Sequence, residues 1–320
     1  MMRILSGAQV AQLVGVADLI EPIAAAMVEV SKGNVEMPLR SMVKLPGSNH
    51  MGIMGGHLGT PAGHGVKVLS LFPDNPKFGR SSHSGLFLLF DGITGLPVLC
   101  MDAAVLTAIR TAASTAVASR VLARRDSRVL AILGLGEQAH SHIEAMRAVH
   151  PIGRIVAWGR DRAKLEAFGR ENGVEIAATA AEAVQGADII VTATPAKAPF
   201  LSLSMLAPGQ HVNAVGASVA FMQEMTPDIV PGTRFITDYR PSLEPQAAEV
   251  IAARKQGLIA ADHDIPEIGE VIAGAKPGRR SEGEITVYRS LGISAQDLAA
   301  AHAILAKAEA AGIGTVVDMT

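Results

Sequence analysis

An α/β fold is what this sequence predicts: a doubly wound parallel sheet in the second half of the chain, beside an α+β domain that is discontinuous in sequence. Three observations predict it. From Arg128 onward, short apolar runs alternate with helical patterns, the rhythm of parallel strands joined by crossover helices. A glycine turn, Gly134-Leu135-Gly136-Glu137-Gln138-Ala139, separates the first of these runs from the first of these helices. Before Arg128, strand-like runs follow one another through turns, and a long Ala-rich helical pattern, Ala295–Ala311, lies at the far end of the chain.

The first half holds four strand-like runs, Met37–Val43, Gly65–Phe72, Gly85–Phe90 and Pro97–Met101. Gly and Pro clusters at Leu45–Gly47 and Phe72–Gly79 punctuate them, and Asp91–Gly95 reads as a hairpin turn. Gly55–Gly65 reads as a glycine-rich loop carrying His57 and His64. Ala103–Ala123 reads as a helix whose only charge before Arg120 is Arg110, apolar nearly all round and so buried. Strands then follow at Arg128–Leu133, Arg154–Trp158, Asp188–Thr192 and His211–Val215, with Arg234–Thr237 closing the series. Helices at Glu137–Val149 and Arg162–Asn172 separate the first of them. The closing helix is expected to pack back on the first domain, which gives one domain of residues 1–124 with 284–320 and another of 125–283.

Bulk properties exclude several functions. Of 320 residues 49% are hydrophobic and 18% charged, and the net charge of −2 offers no field to draw nucleic acid or an anionic membrane. Aromatics at 3% leave little to stack on single-stranded bases. Cys100 is the lone cysteine, so no intramolecular disulfide forms, and it reads as a small core residue in a reducing compartment. The first residues lack a secretory leader's apolar core, and no apolar run approaches the ~20 residues that span a bilayer. A cytoplasmic, soluble protein is the expectation.

The glycine turn carries the first chemistry. Gly134 permits the tight turn, Gly136 lets backbone approach a pyrophosphate, and Ala139 is small enough for helix and strand to pack closely. The following helix N-terminus offers N–H groups and a positive dipole to the anion. This is the Rossmann-type arrangement for a dinucleotide. At the tip of the second strand, Trp158-Gly159-Arg160-Asp161 places an arginine before an acid. An acid there suits the ribose hydroxyls of NAD, and an arginine suits the 2′-phosphate of NADP or stacks on adenine. The order inclines toward NADP and leaves NAD open.

Three basic residues stand where solvent is not expected. Lys67 shares a strand face with Leu69 and Leu71, Arg110 is alone in its apolar helix, and Arg40 ends Glu36-Met37-Pro38-Leu39. Converging, they would bind a carboxylate. Singly, each could be structural: Arg110 could pair with Asp102, and Lys67 could reach past a strand edge. Ser82 and His83 precede a strand and add a hydroxyl and an imidazole. Among the ten histidines no tight ligand pair occurs, so no metal is expected, and the absence of Gly-x-Ser-x-Gly excludes that hydrolase elbow.

Together these segments resemble the ornithine cyclodeaminase/mu-crystallin family. The resemblance rests on Met37–Arg40, Gly65–Lys67, Asn75-Pro76, Leu106–Ala113, the turn Gly134–Ala139, Asn213–Ala217, Glu267–Gly274 and Ser290–Gly292. It implies a two-domain homodimer with substrate between the domains, the first domain binding substrate and forming the dimer. It also implies that Arg40, Lys67 and Arg110 hold a substrate carboxylate near the nicotinamide. Cyclodeaminases of this family carry an aspartate directly after the Val-Gly-Ala turn, where this chain has Ser218. A hydroxyl without an adjacent base is poorly suited to a carboxylate's general-base work. Ser218, with Ser82 and His83, instead resembles the ketimine-reductase branch.

The resulting expectation is an oxidoreductase that uses NAD(H) or NADP(H) to reduce the C=N bond of a small anionic 2-imino acid, cyclic or acyclic. The alternatives are an ornithine cyclodeaminase and a non-catalytic dinucleotide-dependent binding protein. Lys67 and His83 are the candidate catalytic residues, and Arg40, Lys67, Ser82, Arg110 and Gly292 the candidate substrate contacts. The candidate cofactor set is Arg110, Thr111, Gly134, Gly136, Glu137, Gln138, Ala139, Trp158, Arg160, Asp161, Thr192, Ala193, Val215, Gly216 and Ser218.

Overall fold

The computed structural model describes residues 1–319. Its strands in chain order are β1 (Met2–Leu5), β2 (Val35–Glu36), β3 (Ser41–Lys44), β4 (His50–Gly59), β5 (Ala62–Leu71), β6 (His83–Asp91) and β7 (Pro97–Asp102), then β8 (Val129–Leu133), β9 (Arg154–Trp158), β10 (Glu175–Ile176), β11 (Ile189–Thr192), β12 (His211–Ala214), β13 (Arg234–Thr237), β14 (Thr286–Arg289) and β15 (Thr315–Val317). Two compact units emerge, Met1–Thr111 with Ile293–Thr320, and Ala112–Gly292. The divisions thus fall inside the helix Ala103–Leu122 and just after β14, where the sequence reading set them at 124/125 and 283/284.

The first unit is built on an eight-stranded sheet in the order β15-β1-β7-β6-β5-β4-β2, with β3 also paired to β4. The Asp91–Gly95 turn joins antiparallel β6 and β7, as its composition requires. The segment Gly55–Gly65 is not a loop. Its residues belong mostly to β4 and β5, where His57 pairs across from His64. Gly56 and Gly63 are glycines because the helix Ser294–Ala311 lies on this sheet at close range. A Cβ on Gly56 would come within 2.3 Å of the Ser294 hydroxyl, and one on Gly63 within 2.4 Å of His302. The run Met37–Val43 is strand only from Ser41, since Pro38 has no N–H to give a ladder.

Strand alternation gives this sheet two faces. Lys67, Phe87, Leu89, Leu99 and Met101 are buried on the helix side. The opposite face carries Ile4, Val66, Val68, Leu86, Leu88 and Cys100, of which Ile4 and Leu86 are exposed and the others half-buried. Cys100 is therefore a residue of this outer face and not of the core.

The second unit is a seven-stranded sheet, parallel throughout, in the order β10-β9-β8-β11-β12-β14-β13. The chain starts in the middle at β8, winds outward through β9 and β10, and returns to β11 on the other side. The order reverses beside β8, and ligands of such sheets bind at the carboxyl ends of the strands at this switch point. The Arg234–Thr237 strand does not close the series, because β14 inserts between β12 and β13. Thr286 and Arg289 hide β14 from a hydropathy reading, although all four of its residues are buried. Arg289 is tolerated there because its Nε donates to the buried Glu249 carboxylate. Among the described residues, no helix is long and apolar enough to cross a membrane.

Candidate active site

In the second unit, β8 runs straight into the glycine turn. Gly134 has φ 135°, and a Cβ on it would lie 2.4 Å from the Ala193 carbonyl oxygen, so only glycine fits. Gly136 caps the helix Glu137–Val149, and a Cβ there would meet nothing within 4 Å. The space over the helix N-terminus is open, with Glu137 exposed beside it and Ala139 fully buried below. The buried Gln138 Oε1 has no hydrogen-bond partner among the described residues. A bare, dipole-positive cradle at the switch point fits the pyrophosphate of a dinucleotide.

At the tip of β9, Trp158 packs against Phe200, with ring centroids 5.3 Å apart. Asp161 caps the helix Arg162–Asn172, its Oδ1 accepting the Lys164 N–H at 3.1 Å. That carboxylate is occupied by the helix, while the Arg160 side chain is exposed. Thr192 and Ala193 lie at the carboxyl end of β11, and Val215, Gly216 and Ser218 follow β12. The N–H groups of Val215 and Gly216 both donate to the Thr192 carbonyl, at 3.0 and 3.1 Å, so the two loops are neighbours. Gly292 is buried in a turn where its N–H and that of Leu291 donate to Asp238 Oδ2 at 2.6 and 2.8 Å.

In the first unit, Lys67 is 1% exposed and Arg110 is 4% exposed. They meet at Asp297, which is fully buried in the first turn of the helix Ser294–Ala311. Lys67 Nζ donates to Asp297 Oδ1 at 2.9 Å, lies 2.8 Å from Oδ2, and reaches the Thr107 hydroxyl at 3.3 Å. Arg110 Nε lies 2.9 Å from the same Oδ1, and Nη1 donates to Gln296 Oε1 at 2.7 Å. Arg110 does not pair with Asp102, whose carboxylate accepts the Val105 N–H at the start of its own helix. Lys67 does not escape past a strand edge either; it points under the helix.

One carboxylate thus serves two buried cations, and Arg40 adds its field. Burial, then the Arg110 charge, push the Lys67 pKa down to about 7; Asp297 opposes the shift and Arg40 adds to it. Such a cluster holds positive charge in surplus, and its lysine exchanges a proton near neutrality. Next to Arg110, the buried Thr111 hydroxyl has no hydrogen-bond partner among the described residues. Ser82 Oγ and His83 Nδ1 are 2.9 Å apart at the start of β6. The His83 ring is exposed, yet the surrounding chain crowds it enough to lower its pKa. No hydrogen bond or ion pair among the described residues joins Ser82 and His83 to Lys67.

Asp297 is not among the expected site residues, although its sequence carries the same signal as Arg110. It is the only charged residue of its Ala-rich helix before Lys307.

The chain is 32% identical over 327 residues to the Delta(1)-pyrroline-2-carboxylate reductase of Bacillus thuringiensis subsp. konkukian (strain 97-27), covering 99% of this chain and 100% of the relative. Its structure is similar to that of the Thermococcus litoralis Delta(1)-pyrroline-2-carboxylate reductase in complex with NADH and L-proline, with a TM-score of 0.93, 30% identity, and 99% and 100% of the two chains covered. It is also similar to the iminosuccinate reductase of Paracoccus denitrificans in complex with NAD+, with a TM-score of 0.90, 27% identity and 99% of each chain covered. The model of the ornithine cyclodeaminase/mu-crystallin family matches residues 2–312, and the chain belongs to that family.

Proposed function

We propose that this chain reduces the C=N bond of a small anionic 2-imino acid to an L-amino acid, with a nicotinamide dinucleotide as the hydride donor. The observation that carries the reading is the buried trio Lys67, Arg110 and Asp297, with two cations to one carboxylate. A substrate carboxylate is the natural partner for the surplus charge, and an arginine binds it through two parallel N–H groups. Arg40 and Arg110 hold that carboxylate. Lys67, which titrates near neutrality, gives a proton to the imine nitrogen as hydride reaches the imine carbon. A bound dinucleotide supplies that hydride. The residues that would hold it are those of the Gly134–Ala139 turn, the β9 tip and the loops after β11 and β12. Ser218, standing where cyclodeaminases carry an aspartate, speaks for net reduction over recycling of the cofactor.

The reductase names of the relatives support the same class. The test follows absorbance of the reduced nicotinamide while preformed cyclic 2-imino acids, iminosuccinate, and 2-oxo acids with ammonia or an amine are offered in turn. Oxidation with at least one imino acid is expected, and oxidation with none would overturn the reading. Arg160, exposed beside an acid already occupied by a helix cap, favours NADPH over NADH in this assay.

A homodimer formed through the outer face of the eight-stranded sheet completes the proposal. An antiparallel sheet with one solvated face should be polar there, but this face carries Val66, Val68, Leu86 and Leu88. Leu88→Asp is expected to give monomers in sedimentation velocity where the parent chain sediments as a dimer. A monomeric parent, or a variant that stays dimeric, would contradict this.

A further inference from the structure

Below the loops that follow β11 and β12 sits a carboxylate that the reaction does not use. Glu224 is 2% exposed. Its Oε1 accepts the N–H and the hydroxyl of Thr194, at 2.7 and 2.8 Å. Its Oε2 accepts the Thr192 hydroxyl at 2.9 Å and the N–H groups of Gly216 and Ala217 at 2.9 and 3.2 Å. One buried anion therefore ties two separate loops together through five donors, three of them backbone N–H groups that can only donate.

The same turn is held from its other side. Arg289, 1% exposed, donates to the carbonyls of Ala214 and Ala217. An anion thus takes the N–H side of the Gly216–Ser218 turn, and a cation takes its carbonyl side. The fit is close: a Cβ on Gly216 would lie 2.1 Å from the Thr194 nitrogen and 2.7 Å from Glu224 Oε1.

The position of the turn indicates what it serves. The glycine turn after β8 takes the pyrophosphate, and the β9 tip takes the adenosine side. The other half of the dinucleotide then extends across the switch point, over β11 and β12. We propose that Glu224 is a positioning residue for the nicotinamide half, setting the Thr194 and Gly216–Ser218 segments against which that half rests. The inference rests on the dinucleotide reading above.

Glu224→Gln tests it. Whichever way the amide turns, its NH2 group faces a backbone N–H, so at least one donor is left opposed. Binding of NADPH or NADH, followed by the fluorescence of the reduced nicotinamide, is expected to weaken about tenfold or more. ADP-ribose and its 2′-phosphate, which lack the nicotinamide, are expected to bind within about twofold of the parent, as measured by calorimetry. Thr194→Val removes, at nearly constant volume, the hydroxyl that donates to Glu224 and accepts the Ala196 N–H. It is expected to show the same split at about threefold, and it serves if Glu224→Gln does not fold. Equal weakening of both ligand types would overturn the proposal, since Glu224 would then only hold the unit together. Unchanged binding of both would overturn it too. A parent chain that binds neither ligand would overturn the dinucleotide reading itself.

Discussion

Lys67→Met is expected to lower kcat/KM for the imino acid by about 10²–10⁴-fold while leaving dinucleotide binding within about twofold. The size follows from losing the proposed proton donor. The selectivity follows from geometry, because Thr107 and Asp297, which hold Lys67, lie in the first unit and the glycine turn in the second. Methionine keeps the length of the side chain and leaves Arg110 and Asp297 as a one-to-one pair, so the fold is expected to survive. Steady-state kinetics with nicotinamide fluorescence as the binding measure would check this. Parallel loss of dinucleotide binding, or undiminished turnover, would show that Lys67 is not the donor.

Asp297→Asn is expected to act through pH. Burial and the Arg110 charge already depress the Lys67 pKa to about 7, and Asp297 is what holds it that high. Without the carboxylate the pKa falls further. The proposed reaction uses the protonated lysine, which prevails below the pKa. In the parent, kcat/KM should therefore fall as pH rises through about 7. In the variant the same fall should come at lower pH, and activity at neutrality should drop with it. A role in packing alone would reduce the rate at every pH without moving the limb. A limb that stays in place, or moves toward alkali, would refute the coupling of Asp297 to Lys67.

Much of the second unit was legible because its signals are local. A strand, a glycine turn and a helix in sequence suffice to identify the turn, and the structure gives Gly134 the positive φ and Gly136 the open space that the motif requires. What was not legible depended on distant partners. Gly56 of β4 and Gly63 of β5 resemble loop residues until Ser294 and His302 are placed against them. Strand β14 looks too polar until Glu249 is placed beside Arg289. Lys67 and Arg110 stood out as misplaced charges, but Asp297 joins them from 230 residues beyond Lys67. Glu224 gave no sequence signal at all, since its five donors come from loops that only the sheet order brings together.

In the proposed reaction, hydride ends on the imine carbon and leaves with the product. NADPH deuterated at the hydride position, incubated with this chain and an imino acid it turns over, should yield an amino acid carrying deuterium at Cα, one for each dinucleotide oxidised. Deuterium retained on the cofactor, with ammonia released from ornithine and no net oxidation, would overturn the proposed reduction and return the chain to cyclodeaminase chemistry.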